Sequence, residues 1–126
     1  MVQINRRSET ELRTIDDFEV GQLGSVDSMS IQYFAFPPGS VVPEHSHSQE
    51  QIGFVFQGEL ALTVDGEEHV VGAGDAYLLE SDETHGGENR GDETVNGVDV
   101  FSPPRTASWR RSTTSSSNSS FLLCDQ

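Results

Sequence analysis

Residues 39–58 read GSVVPEHSHSQEQIGFVFQG and place three side chains at the spacing of metal ligands between two glycines. His45 and His47 are two residues apart, so on an extended strand both imidazoles project from the same face. Gln51 lies four residues beyond His47 and can reach the same point after a short bend. His85 would have to arrive from another strand. The spacing therefore predicts a metal site in a fold that wraps on itself, whereas a solvated histidine pair on a strand edge is the simpler alternative.

A second segment, residues 74–89, reads GDAYLLESDETHGGEN and ends shortly after His85. The spacing of glycines, histidines and polar residues in the two segments resembles the two sequence motifs of the cupin family. Glu80 stands where that family usually has proline, and Asp82 where it usually has glycine. These two differences concern turn geometry, because aspartate tolerates left-handed backbone conformations better than most residues. The resemblance implies a cupin double-stranded β-helix, a jelly-roll barrel.

The same resemblance implies that one divalent transition metal is bound by His45, His47, Gln51 and His85. Gln51 takes a position at which the family usually has glutamate, so all four ligands are neutral. Imidazole and amide ligands suit nickel, zinc, iron or manganese rather than magnesium or calcium. A neutral ligand set leaves the charge of the ion available to a carboxylate or an enolate. It disfavours an iron oxygenase with two histidines and one carboxylate, although three-histidine iron sites exist.

Hydrophobic alternation and turn signals predict an all-β chain with few helices. Asp65-Gly66 is typical of a type I′ hairpin turn, and the segment 52–56 is too apolar for an open surface. Tyr77 is expected to fill the barrel, and His69 to lie on the surface. Strands are predicted at 29–36, 52–56, 59–64, 67–71, 75–79 and 94–101. This pattern is typical of an antiparallel barrel or sandwich.

Three regions follow from composition along the 126 residues. Residues 1–20 are an N-terminal arm that we expect to take part in a homodimer, and residues 21–105 form the cupin barrel. Residues 106–126 are a low-complexity tail, because the serine, threonine and asparagine residues of 112–120 bury too little apolar area to fold.

The charge is strongly acidic, with 21 aspartates and glutamates against seven arginines and no lysine, a net charge of -14. Such a surface disfavours nucleic acid and anionic membranes as partners. Self-repulsion of this size is screened in concentrated salt, where the Debye length falls to about 3 Å. We therefore expect a cytoplasmic protein that works in a high-salt cytoplasm, the alternative being an ordinary acidic bacterial protein. The N-terminus lacks an apolar signal core, and a single cysteine, Cys124, excludes an internal disulfide.

The last predicted strand has two candidate faces. Asp99 and Phe101 share one face, and Val98 and Val100 share the other. Periodicity alone favours the valines in the core and Asp99 in water. The opposite arrangement turns Asp99 and Phe101 toward the metal and lets the Pro103-Pro104 turn direct Arg105 across the barrel mouth.

The segments Gln51-Ile52-Gly53-Phe54 and Phe101–Arg105 also resemble the KdgF group of pectin-degradation cupins, which linearise 4,5-unsaturated uronates to 5-keto uronates. This resemblance implies a small anionic sugar acid as substrate and favours the arrangement with Asp99 inside. It implies that Asp99 transfers a proton, Phe101 supplies an apolar wall and Arg105 binds the carboxylate. Two alternatives remain: a dioxygenase or lyase acting on another small organic acid, and a cupin that binds a small molecule without catalysis.

Overall fold

The computed structural model describes residues 2–105, which contain ten β-strands, one 3₁₀ turn (Arg7–Glu9) and no α-helix. The strands are β1 Arg13–Ile15, β2 Phe18–Ser25, β3 Ser30–Phe36, β4 Val41–His45, β5 Glu50–Gln57, β6 Glu59–Val64, β7 Glu67–Gly72, β8 Ala76–Leu79, β9 His85–Glu88 and β10 Val95–Ser102. No helix in this part of the chain is long and apolar enough to cross a membrane.

The strands form two antiparallel sheets. A six-stranded sheet has the order β1-β2-β3-β10-β5-β8, and a four-stranded sheet has the order β4-β9-β6-β7. Neighbours such as β10 and β3, or β4 and β9, lie far apart in the chain, so the two sheets are wound together. The predicted all-β fold of antiparallel strands is confirmed.

The hydrophobic core lies between the sheets. Phe18, Phe34 and Val55 come from the six-stranded sheet, and Leu60 and Leu62 come from the four-stranded sheet. Alternate residues of each strand enter this core, as the pleat requires. Along β10, for example, every second residue is buried. The inner faces of the two sheets therefore enclose a single interior, which opens at one end into the cavity described below.

The turns carry the expected backbone signals. In the β6–β7 hairpin Asp65 has φ 49° and Gly66 has φ 84°, the two left-handed residues of a type I′ turn. Gly58 has φ 86°, and a Cβ there would lie 2.9 Å from the carbonyl oxygen of Thr94. Glycine is therefore required at Gly58 both for its conformation and for the close approach of two backbone segments.

One expectation for the barrel is wrong in the described chain. The segment 52–56 was expected to be too apolar for an open surface, yet Ile52, Phe54 and Phe56 are 50%, 39% and 52% exposed. They alternate along β5 with the buried residues Gln51, Gly53 and Val55. Leu78 of the adjacent strand β8 is 70% exposed beside them. An apolar outer face of this kind agrees with the expected homodimer, which stays a prediction.

The N-terminal boundary at residues 20 and 21 falls inside β2. Ile15, Phe18 and Val20 belong to the core cluster, so the folded barrel includes residues that precede position 21. The expected tail at 106–126 lies outside the described residues.

Candidate metal centre

Three histidines converge at one end of the barrel. His45 ends β4, His85 begins β9, and the two are direct partners in the β4–β9 ladder. His47 lies in the loop between β4 and β5. One ring nitrogen from each of the three lies within 4.8 Å of the others. The histidines that the spacing singled out are thus brought together in a geometry positioned to bind a metal ion.

Backbone carbonyls fix the orientation of all three rings. The Nδ1 atom of His45 lies 2.9 Å from the carbonyl oxygen of Pro43, and that of His85 lies 2.9 Å from the carbonyl oxygen of Glu83. Because a carbonyl oxygen can only accept, these Nδ1 atoms carry the proton and each Nε2 keeps a lone pair. Metal-binding histidines are commonly oriented by such a contact.

Burial holds the three imidazoles in their neutral form. It lowers the pKa of His45 to about 3 and that of His47 to about 4, and it lowers the pKa of His85 as well. The positive charge of Arg105 acts in the same direction on all three. At neutral pH the lone pairs are therefore available, which is the state that metal coordination requires.

His47 and Gln51 supply the observation that tests the fit of a metal. The two ring nitrogens of His47 both face oxygen atoms: Nδ1 lies 3.1 Å from the carbonyl of Gln49, and Nε2 lies 3.0 Å from Oε1 of Gln51. A neutral imidazole has only one N–H, so one contact joins two lone pairs. A cation bound by both Nε2 and Oε1 removes that conflict. Adjacent ligands at right angles, each about 2.1 Å from an ion, lie about 3 Å apart, so these residues fit a divalent metal.

Asp99, Phe101 and Arg105 line the same cavity as His45, Gln51 and His85. Asp99 and Phe101 are 6% and 2% exposed, whereas Val98 and Val100 face outward. The periodicity of the strand alone had favoured the opposite arrangement. Periodicity could not decide between the faces because the outer one is also partly apolar. Val98 is half-buried there between its cross-strand partners Tyr33 and Phe54.

Phe101 lies between a candidate metal ligand and the buried arginine. Its ring centroid is 5.7 Å from that of His47, in an edge-to-face arrangement, and the guanidinium carbon of Arg105 lies 4.9 Å from it. The backbone N–H of Arg105 donates to the Ser30 hydroxyl at 2.8 Å. These contacts position Arg105 in the interior instead of leaving it on the surface.

Asp99 has an unusual environment for a carboxyl group. Burial raises its pKa to about 6, while hydrogen bonds from Tyr77 and Gln51 and the charge of Arg105 oppose that rise. The Tyr77 hydroxyl donates to Oδ1 of Asp99 at 2.5 Å. Its own pKa is raised well above 10, because it is buried beside this carboxylate. Tyr77 therefore stays a hydrogen-bond donor.

Sequence analysis missed two residues of this site. Tyr77 was expected only to fill the barrel, and Gln32 was not considered, yet both line the cavity and are nearly buried. The sequence offered only a weak signal for them. For Gln32 that signal is a polar side chain at an inward position of β3, where polar residues are unusual.

The second motif contributes structure around the histidines. Asp82, which replaces the usual glycine, has φ 69°, as expected for an aspartate in a left-handed position. Its backbone N–H donates to the carbonyl of His47 at 2.8 Å and ties this turn to the histidine loop. Asn89 is buried and donates to the carbonyls of Phe36 and Glu93. These hydrogen bonds close a turn after β9.

The sequence is similar to those of two known proteins. Over 80 residues the chain is 30% identical to the pectin degradation protein KdgF of Dickeya dadantii, covering 63% of this chain and 72% of that protein. It is 36% identical over 67 residues to H2HPP isomerase of Bacillus subtilis, covering 53% of this chain but only 28% of that relative's length.

Solved structures show the same fold. KdgF from Halomonas sp. superposes with a TM-score of 0.76 at 22% identity, covering 83% of this chain and 96% of that one. An RmlC-like cupin from Shewanella frigidimarina superposes with a TM-score of 0.75 at 25% identity, covering 83% and 94%. Residues 32–101 match the family model of the cupin domain. The chain belongs to the cupin family.

Proposed function

We propose that this cupin binds one divalent transition metal through His45, His47, Gln51 and His85 and linearises 4,5-unsaturated uronates to 5-keto uronates. The observation that carries the proposal is that Asp99 and Arg105 line one cavity with His45, Gln51 and His85. A base and a carboxylate-binding cation beside a metal centre are the groups that this ring opening requires. The similarity to a protein named for pectin degradation supports the choice of substrate.

The donor set favours nickel, zinc, iron or manganese. Three neutral imidazoles and one amide oxygen would hold the ion, and when bound it would supply positive charge to the substrate's oxygen atoms. This cluster contains no carboxylate ligand, so the dioxygenase alternative has less support than the uronate reaction.

Arg105 binds the substrate carboxylate. Its guanidinium presents paired N–H donors that match a carboxylate in two parallel hydrogen bonds. Phe101 packs beneath the guanidinium and limits its freedom. Because the C4=C5 bond lies next to the carboxylate, a clamped carboxylate also fixes the position of the carbon that must receive a proton.

Asp99 moves the proton. Its carboxylate removes the proton from the anomeric hydroxyl as the bond between C1 and the ring oxygen breaks, leaving an aldehyde at C1 and an enolate across C4, C5 and that oxygen. Delivery of the proton to C4 then gives a ketone at C5, so substrate and product are isomers and no further reactant is needed. A pKa of about 6 suits a group that must accept and return a proton near neutral pH.

The test is to follow a freshly prepared 4,5-unsaturated uronate by proton NMR, in concentrated salt, with protein that has been loaded with metal. The loss of the cyclic form should be much faster than the spontaneous reaction, and treatment with a chelator should return it to the spontaneous rate. A rate equal to the spontaneous one with fully loaded protein would contradict the proposal and favour a binding cupin. Consumption of oxygen would favour the dioxygenase.

A further inference from the structure

A row of inward-facing residues crosses the six-stranded sheet beside the histidines. Tyr77 of β8 is paired with Gly53 of β5, Gly53 is paired with Asp99 of β10, and Asp99 is paired with Gln32 of β3. These four positions are neighbours across the strands, so a side chain at one position can reach the next.

Gly53 leaves the space through which Tyr77 reaches Asp99. A Cβ at position 53 would lie 2.0 Å from Cζ of Tyr77 and 2.4 Å from its hydroxyl oxygen. Any other residue at 53 would therefore displace the tyrosine ring. With glycine there, the ring lies over the β5 backbone and its hydroxyl meets Oδ1 of Asp99 at 2.5 Å.

Asp99 in turn fixes the amide of Gln51. The Gln51 side chain donates a hydrogen bond to the Asp99 carboxylate. Only the NH₂ group of an amide can donate, so the Gln51 oxygen must point the other way. It does so, lying 3.0 Å from Nε2 of His47.

The opposite orientation of this amide would block the metal site. If Gln51 were rotated, its NH₂ group would donate to the lone pair of His47 Nε2, and neither atom could bind a cation. That rotated form makes a good hydrogen bond of its own when no acceptor holds the NH₂ group elsewhere. The carboxylate of Asp99 is the acceptor that selects the productive orientation.

We propose that Tyr77, Gly53 and Asp99 form a positioning unit that holds the Gln51 amide with its oxygen toward the histidines. Tyr77 is a positioning residue that acts through Asp99, and Gly53 provides the space it needs. The inference rests on the metal-binding part of the proposed function and is independent of the substrate.

The experiment titrates chelator-treated, full-length protein with cobalt(II), recording affinity by calorimetry and coordination by the visible absorption of the ion. Asp99→Leu should weaken cobalt binding by about 10- to 100-fold and change the spectrum, as expected for loss of an outer contact to a ligand. Asp99→Asn should restore affinity to within about threefold of the wild type, because the asparagine oxygen still accepts from Gln51.

Tyr77→Phe keeps the ring and removes only the hydroxyl, so it tests the tyrosine without disturbing the core. It should weaken binding by several-fold, roughly 3 to 10, and Gly53→Ala should do so at least as strongly. Combining Tyr77→Phe with Asp99→Leu should add little to the loss from Asp99→Leu alone, since both act through one contact. Tyr33→Phe is the matched control, because Tyr33 lies on the outer face under the guanidinium of Arg7.

Circular dichroism and melting separate these effects from misfolding. Wild-type cobalt affinity and spectrum in a folded Asp99→Leu protein would overturn the proposal. If that variant does not fold, unchanged affinity in both Tyr77→Phe and Gly53→Ala would overturn it instead. A further outcome is that the variants show the expected cobalt affinities while the wild type fails to convert the uronate. That outcome would contradict the proposed reaction and leave the positioning unit standing.

Discussion

His45 and His85 are directly paired across the β4–β9 ladder, and their ring centroids lie 4.4 Å apart. The register of two strands therefore places two candidate ligands side by side before any ion is bound. Since their Nδ1 atoms are held by backbone carbonyls as well, little side-chain freedom is left to lose on binding. Preorganisation of this kind favours affinity because less ordering accompanies complex formation.

His47→Ala should remove most of the bound metal. The wild type should carry close to one divalent transition ion per chain after expression, measured by elemental analysis. His69→Ala is the control, since His69 lies exposed on β7. Retention of the ion by the His47 variant would contradict the assigned ligand set.

Asp99→Asn should slow ring opening by roughly a hundredfold or more while fold and metal content stay the same. Asparagine preserves the shape and the hydrogen bond from Gln51 but cannot accept a proton. The rate is measured by NMR on metal-loaded protein, with metal content determined on the same sample. Conversion at the wild-type rate would show that the proton passes through another group.

Arg105→Ala should raise the Michaelis constant for the uronate and also lower turnover. The variant loses a partner of the carboxylate in both the bound and the reacting states. Arg90→Ala is a suitable comparison, because Arg90 is an exposed residue paired with Glu68 and Glu88. Equal Michaelis constants for the Arg105 variant and the wild type would contradict a role in carboxylate binding.

Acid should destabilise the metal-free protein through its buried histidines. Their pKa values are lowered in the fold, to about 3 for His45 and about 4 for His47, so the unfolded chain takes up protons first as the pH falls below 6.5. The stability present above that pH is lost on acidification. Asp99 acts oppositely, since its raised pKa of about 6 means that protonation relieves the cost of its burial. Because three histidines lower the stability on acidification and one carboxyl group raises it, the net effect is a loss of stability.

The measurement is the melting temperature of chelator-treated protein between pH 7 and 4, in concentrated salt so that surface carboxylates contribute little. The temperature should fall with pH, and it should fall less steeply in His47→Ala, which lacks one of the buried groups. Parallel curves for the two proteins would contradict the role of His47 in this dependence.

Lowering the salt concentration should destabilise the fold. A net charge of -14 is screened poorly at ionic strengths near 0.1 M, where the Debye length is about 10 Å. Melting curves between roughly 0.1 M and several molar potassium chloride should show a rising melting temperature. A melting temperature that stays flat or falls as salt is added would contradict the high-salt expectation. It would not bear on the proposed metal centre.

Residues with strong local signals could be predicted from sequence. The Asp65-Gly66 turn, strand β3 and the alternating strand β6 were recognised because hydrophobic alternation and turn chemistry are properties of adjacent residues. The histidine spacing was recognised for the same reason. The all-β fold followed from these elements together with the family resemblance.

Strands β1, β2, β4 and β9 were not predicted. In β4 and β9 the fold requires residues that weaken the sequence signal of a strand. A Cβ at Gly86 in β9 would lie 2.8 Å from the carbonyl oxygen of Val42, so glycine permits the pairing of β9 with β4. Pro43 in β4 is tolerated because β4 is an edge strand. The exposure of Phe54 and the contact between Tyr77 and Asp99 depend on which strands become neighbours, which no local pattern encodes.

The candidate ligands come from both sheets: His45 and His85 lie on the four-stranded sheet, and Gln51 lies on β5 of the six-stranded sheet. An ion held by all of them would be a removable cross-link between the two layers, close to the hydrogen bonds that already join their loops. Adding or removing the metal would then change how readily the two sheets separate at this end of the barrel. Amide exchange should register that change in β4, β9 and the start of β5, while the hairpin of β6 and β7 remains unaffected.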